Sequence, residues 1–139
     1  MIELDNRTSL EVDETFLNTI AATLTDKDIE LLVTSNEEIK EINLKHRDID
    51  KDTDVLSFPY EDVPLFPLGS IVISAEYVEL KSKEHSHKKS DELALLFIHG
   101  LLHILGYDHE VDSGEMRKKE KELILKFNLP KSLIVRTQG

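Results

Sequence analysis

The run from Leu93 to Leu105, LALLFIHGLLHIL, constrains this chain more than any other segment. Apart from His99, Gly100 and His103 every residue in it is apolar. A helix built from it is apolar nearly all round and belongs at the buried centre of a fold. Ser90 is placed to cap that helix, with Asp91 and Glu92 in its first turn, where their charge complements the helix dipole. Gly106 ends it. The run falls short of the ~20 apolar residues needed to span a bilayer, and no other run comes nearer.

At 139 residues the chain can bury roughly two-thirds of its unfolded surface, enough to enclose such a helix in one domain over 1–139. No repeat, low-complexity tract or linker divides it. With 40% hydrophobic and 32% charged residues it reads as a soluble globular protein. The opening Met1-Ile2-Glu3-Leu4-Asp5 lacks the basic and apolar regions of a secretory signal, so the expected location is cytoplasmic. There is no cysteine, which excludes disulfides and thiolate metal sites and leaves imidazole or oxygen as ligands.

The net charge of −11 argues at first against a nucleic-acid partner. Its distribution softens that. Residues 1–42 carry 11 acids against 3 bases, while the rest of the chain is only slightly acidic. The stretch 79–90 is locally basic, with Lys81, Lys83, Lys88 and Lys89 against Glu79 and Glu84.

Around the central run the pattern alternates strand and helix. Ile2 to Asn6 reads as a short strand. Asp13 opens an amphipathic helix carrying Phe16, Leu17, Ile20 and Leu24. Ile29 to Thr34 is β-like, and Ser35 or Asn36 caps a helix carrying Ile39 and Ile42. Asp54 to Phe58 and Gly69 to Ser74 read as two strands of a hairpin. The loop between them holds three of the four prolines, and its Tyr60, Leu65 and Phe66 either pack on the body or form a lid. Ala75 to about Lys83 and Gly114 to Phe127 read as helices, the latter with Met116, Leu123 and Phe127 inward and 117–122 as a solvated face. The predicted fold class is α+β, a small mixed sheet of about four strands packed with about five helices.

His99 and His103 stand at i and i+4, on one helix face with Cβ atoms about 5–6 Å apart, so both imidazoles can reach one ion. Gly106 can turn the chain back so that His109 supplies a third nitrogen. Three neutral ligands leave a position open for water, as in catalytic rather than structural zinc. A lone histidine on an apolar helix is usually a satisfied core residue. Two on one buried face, with a third beyond a helix-ending glycine, ask for a metal. The spacing is that of the H-E-x-x-H-x-x-G-x-x-H metalloproteases, but Gly100 stands where they carry the general-base glutamate. Loss of that base costs about 10²–10⁴ in rate, so metal binding is retained while peptide hydrolysis is disfavoured.

The segment His99-Gly100-Leu101-Leu102-His103-Ile104-Leu105-Gly106-Tyr107-Asp108-His109 resembles the H-G-x-L-H-x-x-G-Y-D-H motif of the YbeY family. Ile42-Asn43 to Arg47, followed by Thr53-Asp54-Val55-Leu56-Ser57-Phe58-Pro59, resembles that family's second block, and Gly69-Ser70-Ile71-Val72-Ile73-Ser74 its third. The resemblance covers most of the chain, from about residue 30 to residue 127. The departures are Ser70, where the family has aspartate, and Ile42 in place of leucine.

The resemblance implies a metal-dependent, single-strand-specific endoribonuclease of rRNA maturation (the small-subunit 3′ end) and ribosome quality control, built on a zincin-like metal helix. It implies one Zn²⁺ per chain, or another divalent transition metal such as Ni²⁺, on His99, His103 and His109. Its partners would be single-stranded RNA and the ribosomal small subunit with its proteins, with no membrane and no DNA. Arg47 would be the catalytic or substrate-binding basic residue, since a guanidinium fork pairs with two phosphate oxygens. Read without the family, Arg47 is a surface ion-pair partner of Asp48 or Asp50. Asp108 could orient a ligand histidine or serve a local hydrogen bond, and Glu92 shares the face of His99 or favours the helix start. His85 and His87 with Lys88 and Lys89 suit a solvated loop better than an RNA contact. The rival functions are a zinc metallopeptidase and a non-catalytic ribosome-associated factor with structural zinc.

Overall fold

In the computed structural model, which describes residues 1–61, 63–108, 110–131 and 133, four strands form one mixed sheet in the order β1-β2-β4-β3. The elements are β1 (Ile2–Asn6), α1 (Glu14–Ala22), β2 (Ile29–Thr34), α2 (Asn36–Arg47), β3 (Val55–Pro59), β4 (Gly69–Ser74), α3 (Ala75–Glu84), α4 (Lys89–Ile104) and α5 (Glu115–Lys126). β1, β2 and β4 run parallel, and β3 returns antiparallel along β4 with Ser57 opposite Ile71. This is the α+β sheet that the sequence predicts. Among the described residues no helix is long and apolar enough to cross a membrane.

Strand periodicity sorts side chains between two layers. Ile29, Leu31 and Val33 of β2 and Ile71 and Ile73 of β4 point into the main core with α1, α4 and α5. Val72, Leu56 and partly buried Leu32 and Phe58 point the other way, against Ile39 of α2. The apolar run becomes the centre of the main layer: of residues 92–104, only the two histidines are not fully buried. Gly106 ends the helical segment with φ 101°, a left-handed value that suits glycine.

Several boundaries shift, each for a local reason. β3 begins at Val55 because the Asp54 side chain accepts the Val55 N–H at 2.8 Å, and it ends one residue later, on edge-strand Pro59. α4 begins at Lys89, so Ser90 falls inside the first turn and no side chain caps the helix. Ser35 rather than Asn36 caps α2, accepting the Glu38 N–H at 3.2 Å. Leu65 and Phe66 do not pack on the body: both are exposed, on a loop in which Leu65 has φ 71°. Tyr60, also exposed, is tied to the sheet by its hydroxyl, which donates to Glu30 at 2.5 Å.

Candidate metal centre

Helical spacing and sheet contact together build the site. α4 lies so close to the hairpin that a Cβ on Gly100 would stand 2.9 Å from Ile71 Cγ2 and 3.1 Å from Ser57 Oγ. The Ser57 hydroxyl donates to the Gly100 carbonyl at 3.1 Å, fastening helix to strand. Gly100 is therefore the residue that lets the helix dock. A glutamate side chain has no room at this position, which accounts physically for the departure from the peptidase motif.

One turn apart on α4, the His99 and His103 rings meet nearly edge to face, 4.7 Å between centroids and 78° between planes. Their Nε2 atoms lie 3.1 Å apart. Two nitrogens bound to one tetrahedral zinc at 2.0–2.1 Å would stand about 3.3 Å apart, so the pair fits a shared ion with a few tenths of an ångström of adjustment. Both side chains are half-buried and open onto a cleft of about 400 Å³. His109, the third expected ligand, lies outside the described residues; among the described residues no group of three potential ligands converges.

Arg47 enters the same cleft, whose walls are Asp54, Val55, Leu56, Ser57 and Pro59 with the two histidines. It is the last residue of α2, exposed at its tip, and Asp48 beyond it takes a left-handed φ of 57°. The ion pair that sequence alone suggests is not formed. Asp50 pairs with Lys40 at 3.7 Å, and among the described residues no carboxylate lies within ion-pair distance of Arg47. Asn43, buried one turn earlier, donates from its amide to the Lys51 carbonyl at 3.0 Å and so ties down the loop that follows Arg47. The Tyr77 hydroxyl donates to Asp52 at 2.7 Å in that loop; this bond, then burial, raises the phenol above its ordinary value of 10.

Behind His99 stands a residue that the sequence reading misplaces. Glu120, assigned to a solvated face, is buried at 3% exposure, and its Oε1 lies 3.3 Å from His99 Nδ1. The signal was present: Met116, Glu120, Leu123 and Ile124 form one helical stripe, and all four are buried. The charged run around it hid the period. Asp54 and Ser57 were also unassigned, because only the antiparallel pairing of β3 with β4 brings them to the cleft.

The remaining candidates lie elsewhere. Asp108 accepts the Glu110 N–H at 3.0 Å, a local turn bond. Glu92 is fully buried in the first turn of α4. His85 and His87 stack at 5.8 Å beyond α3, beside Lys89, which is spent on Glu79 at 2.9 Å and holds that carboxyl below its ordinary range. Ser70 does not line the cleft. Ile71 beside it, with Ile73 and that residue's partner Val55, marks the α4 side of the sheet, whereas Ser70 alternates to the face of Val72 and its own partner Phe58.

Comparison with known proteins gives concordant matches. The family model described as Endoribonuclease YbeY matches residues 2–128. The chain is 63% identical to the Endoribonuclease YbeY of Sulfurimonas denitrificans over 139 residues, covering 100% of both chains. It is 59% identical to that of Nautilia profundicola over 138 residues, covering 99% of each. Among solved structures, the solution structure of TM1509 from Thermotoga maritima matches with a TM-score of 0.64 at 30% identity, covering 91% of this chain and 89% of that one.

Proposed function

The chain belongs to the endoribonuclease YbeY family and is an RNA-cleaving hydrolase, and on that premise we propose that it cuts single-stranded RNA by metal-assisted hydrolysis. Its task in this reading is maturation of the small-subunit rRNA 3′ end and ribosome quality control, in the cytoplasm, with ribosomal small-subunit proteins as neighbours. The observation that carries the chemistry is the cleft itself. It gathers Arg47, from the end of α2, with two converging imidazoles more than 50 positions away in sequence.

His99, His103 and His109 would hold one Zn²⁺, or a similar divalent ion such as Ni²⁺. When bound, such an ion supplies Lewis acidity toward a phosphoryl oxygen and lowers the pKa of water toward about 7. The rest falls to the chain's own groups. Arg47, with no carboxylate partner among the described residues, is free to place its planar fork on two phosphate oxygens and stabilise charge that grows there. The Asn43 and Tyr77 bonds restrain the loop beyond Arg47, so the guanidinium is presented from a defined wall.

The peptidase alternative lacks its base at Gly100 and lacks space for one. Incubation of tag-free protein with single-stranded RNA and with casein, with and without chelator, tests the proposal. Cleavage of RNA alone, lost on chelation, is the expected result; casein cleavage or chelator-insensitive RNA cleavage would overturn it. Arg47→Ala should lower the rate by about 10²–10³ if its loss resembles that of an oxyanion donor, with metal content unchanged. Arg47→Lys should recover little, since an ammonium keeps charge without the fork.

A further inference from the structure

We propose that Glu120 is a positioning residue of the metal centre, holding His99 in the tautomer and orientation that turn Nε2 toward the ion. The inference rests on the reading that His99 and His103 share that ion.

Glu120 is out of keeping with its surroundings. It sits on the inward stripe of α5 between Met116 at 0% and Leu123 at 2% exposure, where an apolar side chain would pack without cost. A buried carboxylate in such a place is unfavourable unless a donor meets it. The lysines beside it do not serve: Lys119 turns to Glu122 at 3.6 Å, and Lys121 is exposed. The group that meets it is His99, whose Nδ1 lies 3.3 Å from Glu120 Oε1.

The proton assignment follows from chemistry. An ionised carboxylate only accepts, so the hydrogen belongs on Nδ1, and a neutral imidazole then carries its lone pair on Nε2. That Nε2 is the atom 3.1 Å from His103 Nε2. Two imidazole nitrogens so close share either a proton or a cation, and with His99 held as the Nδ1–H form its Nε2 is the accepting side. Carboxylates behind metal-ligating histidines fix ring and tautomer in this way, and their loss typically costs 10–100-fold in metal affinity. The contact joins residues 21 apart in sequence, so docking of α5 on α4 sets the ligand before any ion arrives.

The test is zinc affinity, measured by competition with a chromophoric chelator on tag-free parent, Glu120→Gln and Glu120→Leu. Glu120→Gln keeps shape and an acceptor, and should lose about tenfold; Glu120→Leu should lose up to about 100-fold. Long-range ¹H–¹⁵N spectra of the apo proteins give a second readout, which a merely structural role would not move. His99 should be the Nδ1–H form in the parent and a tautomer mixture in Glu120→Leu. Unchanged zinc affinity in a folded Glu120→Leu overturns the inference. If that variant does not fold, unchanged affinity in Glu120→Gln does the same. A parent that binds no zinc overturns the metal site itself, and the inference with it; a parent that binds, with variants equal to it, overturns only the role of Glu120.

Discussion

His99 and His103 stand one helical turn apart on α4, with Nε2 atoms 3.1 Å apart, a cleft in front and a buried carboxylate behind. His85 and His87 stand two residues apart across the turn between α3 and α4, with rings stacked at 5.8 Å and 17°. Both pairs are imidazoles of one chain, and α3 links the two places, its first turn facing the cleft loop and its last carrying the second pair. What differs is the backbone. A helix aims side chains four apart at a common point, whereas the positive φ of Ser86 between the other two sets their rings face to face, an arrangement unsuited to sharing an ion through both rings. Histidine count alone says nothing about a metal. The backbone state that carries the count does.

The largest effect should come from breaking the first pair. His103→Ala removes one of two converging nitrogens, so zinc content should fall from about one per chain toward none. The stabilisation that zinc gives the parent, about 4 kcal/mol at a thousandfold excess over Kd, should vanish with it. His87→Ala should change neither. Elemental analysis and melting curves with and without chelator check this, and equal chelator sensitivity in His103→Ala and parent would remove His103 from the site.

How much of this was legible beforehand follows the range of the interactions. The central helix, its termination at Gly106, the four strands and the placing of His99 and His103 one turn apart are periodic or local signals, and the structure departs from them only by a residue or two at the ends of β3 and α4. Glu120 was hidden because a run of charges suggests solvent, while its burial depends on how α5 docks against α4. The role of Gly100 was half legible. Its departure from the peptidase motif was plain, but the need for glycine there comes from Ile71 and Ser57, two strands that no local pattern relates to α4. The exposure of Leu65 and Phe66 was not legible, because apolar identity in a loop carries no direction and leaves packing and a lid equally open.

Gly100 offers the next, smaller break. Alanine favours a helix interior over glycine by about 0.8–1.0 kcal/mol. At this position its methyl would meet Ile71 Cγ2 at 2.9 Å, and that side chain is fully buried with no space to retreat. Overpacking of a core costs about 1–3 kcal/mol, so the clash should win and Gly100→Ala should destabilise by about 1 kcal/mol net. Urea denaturation measures it. A stabilised variant would mean that α4 is not held against the hairpin as tightly as the contacts require.

The smallest effect concerns the end of α3 nearer the cleft. Tyr77 donates its hydroxyl to Asp52 at 2.7 Å, across to the loop between Arg47 and Asp54. The bond is exposed to solvent, so Tyr77→Phe should cost only about 0.5 kcal/mol, the low end for a hydrogen bond. Its pH dependence has a definite sign. The carboxylate of Asp52 accepts the phenolic proton and raises the pKa in the folded chain, so the contribution is fully present below the phenol's ordinary value of 10 and lost as pH rises through the raised one. The stability difference between parent and Tyr77→Phe should therefore be flat from pH 7 to 9 and close above about pH 10. Because the bond restrains the wall that presents Arg47, Tyr77→Phe should also slow RNA cleavage several-fold while leaving zinc content intact. His85→Ala, at the far end of the same helix, should leave the cleavage rate unchanged. A cleavage rate in Tyr77→Phe equal to that of the parent would show that Arg47 is held by α2 and Asn43 alone.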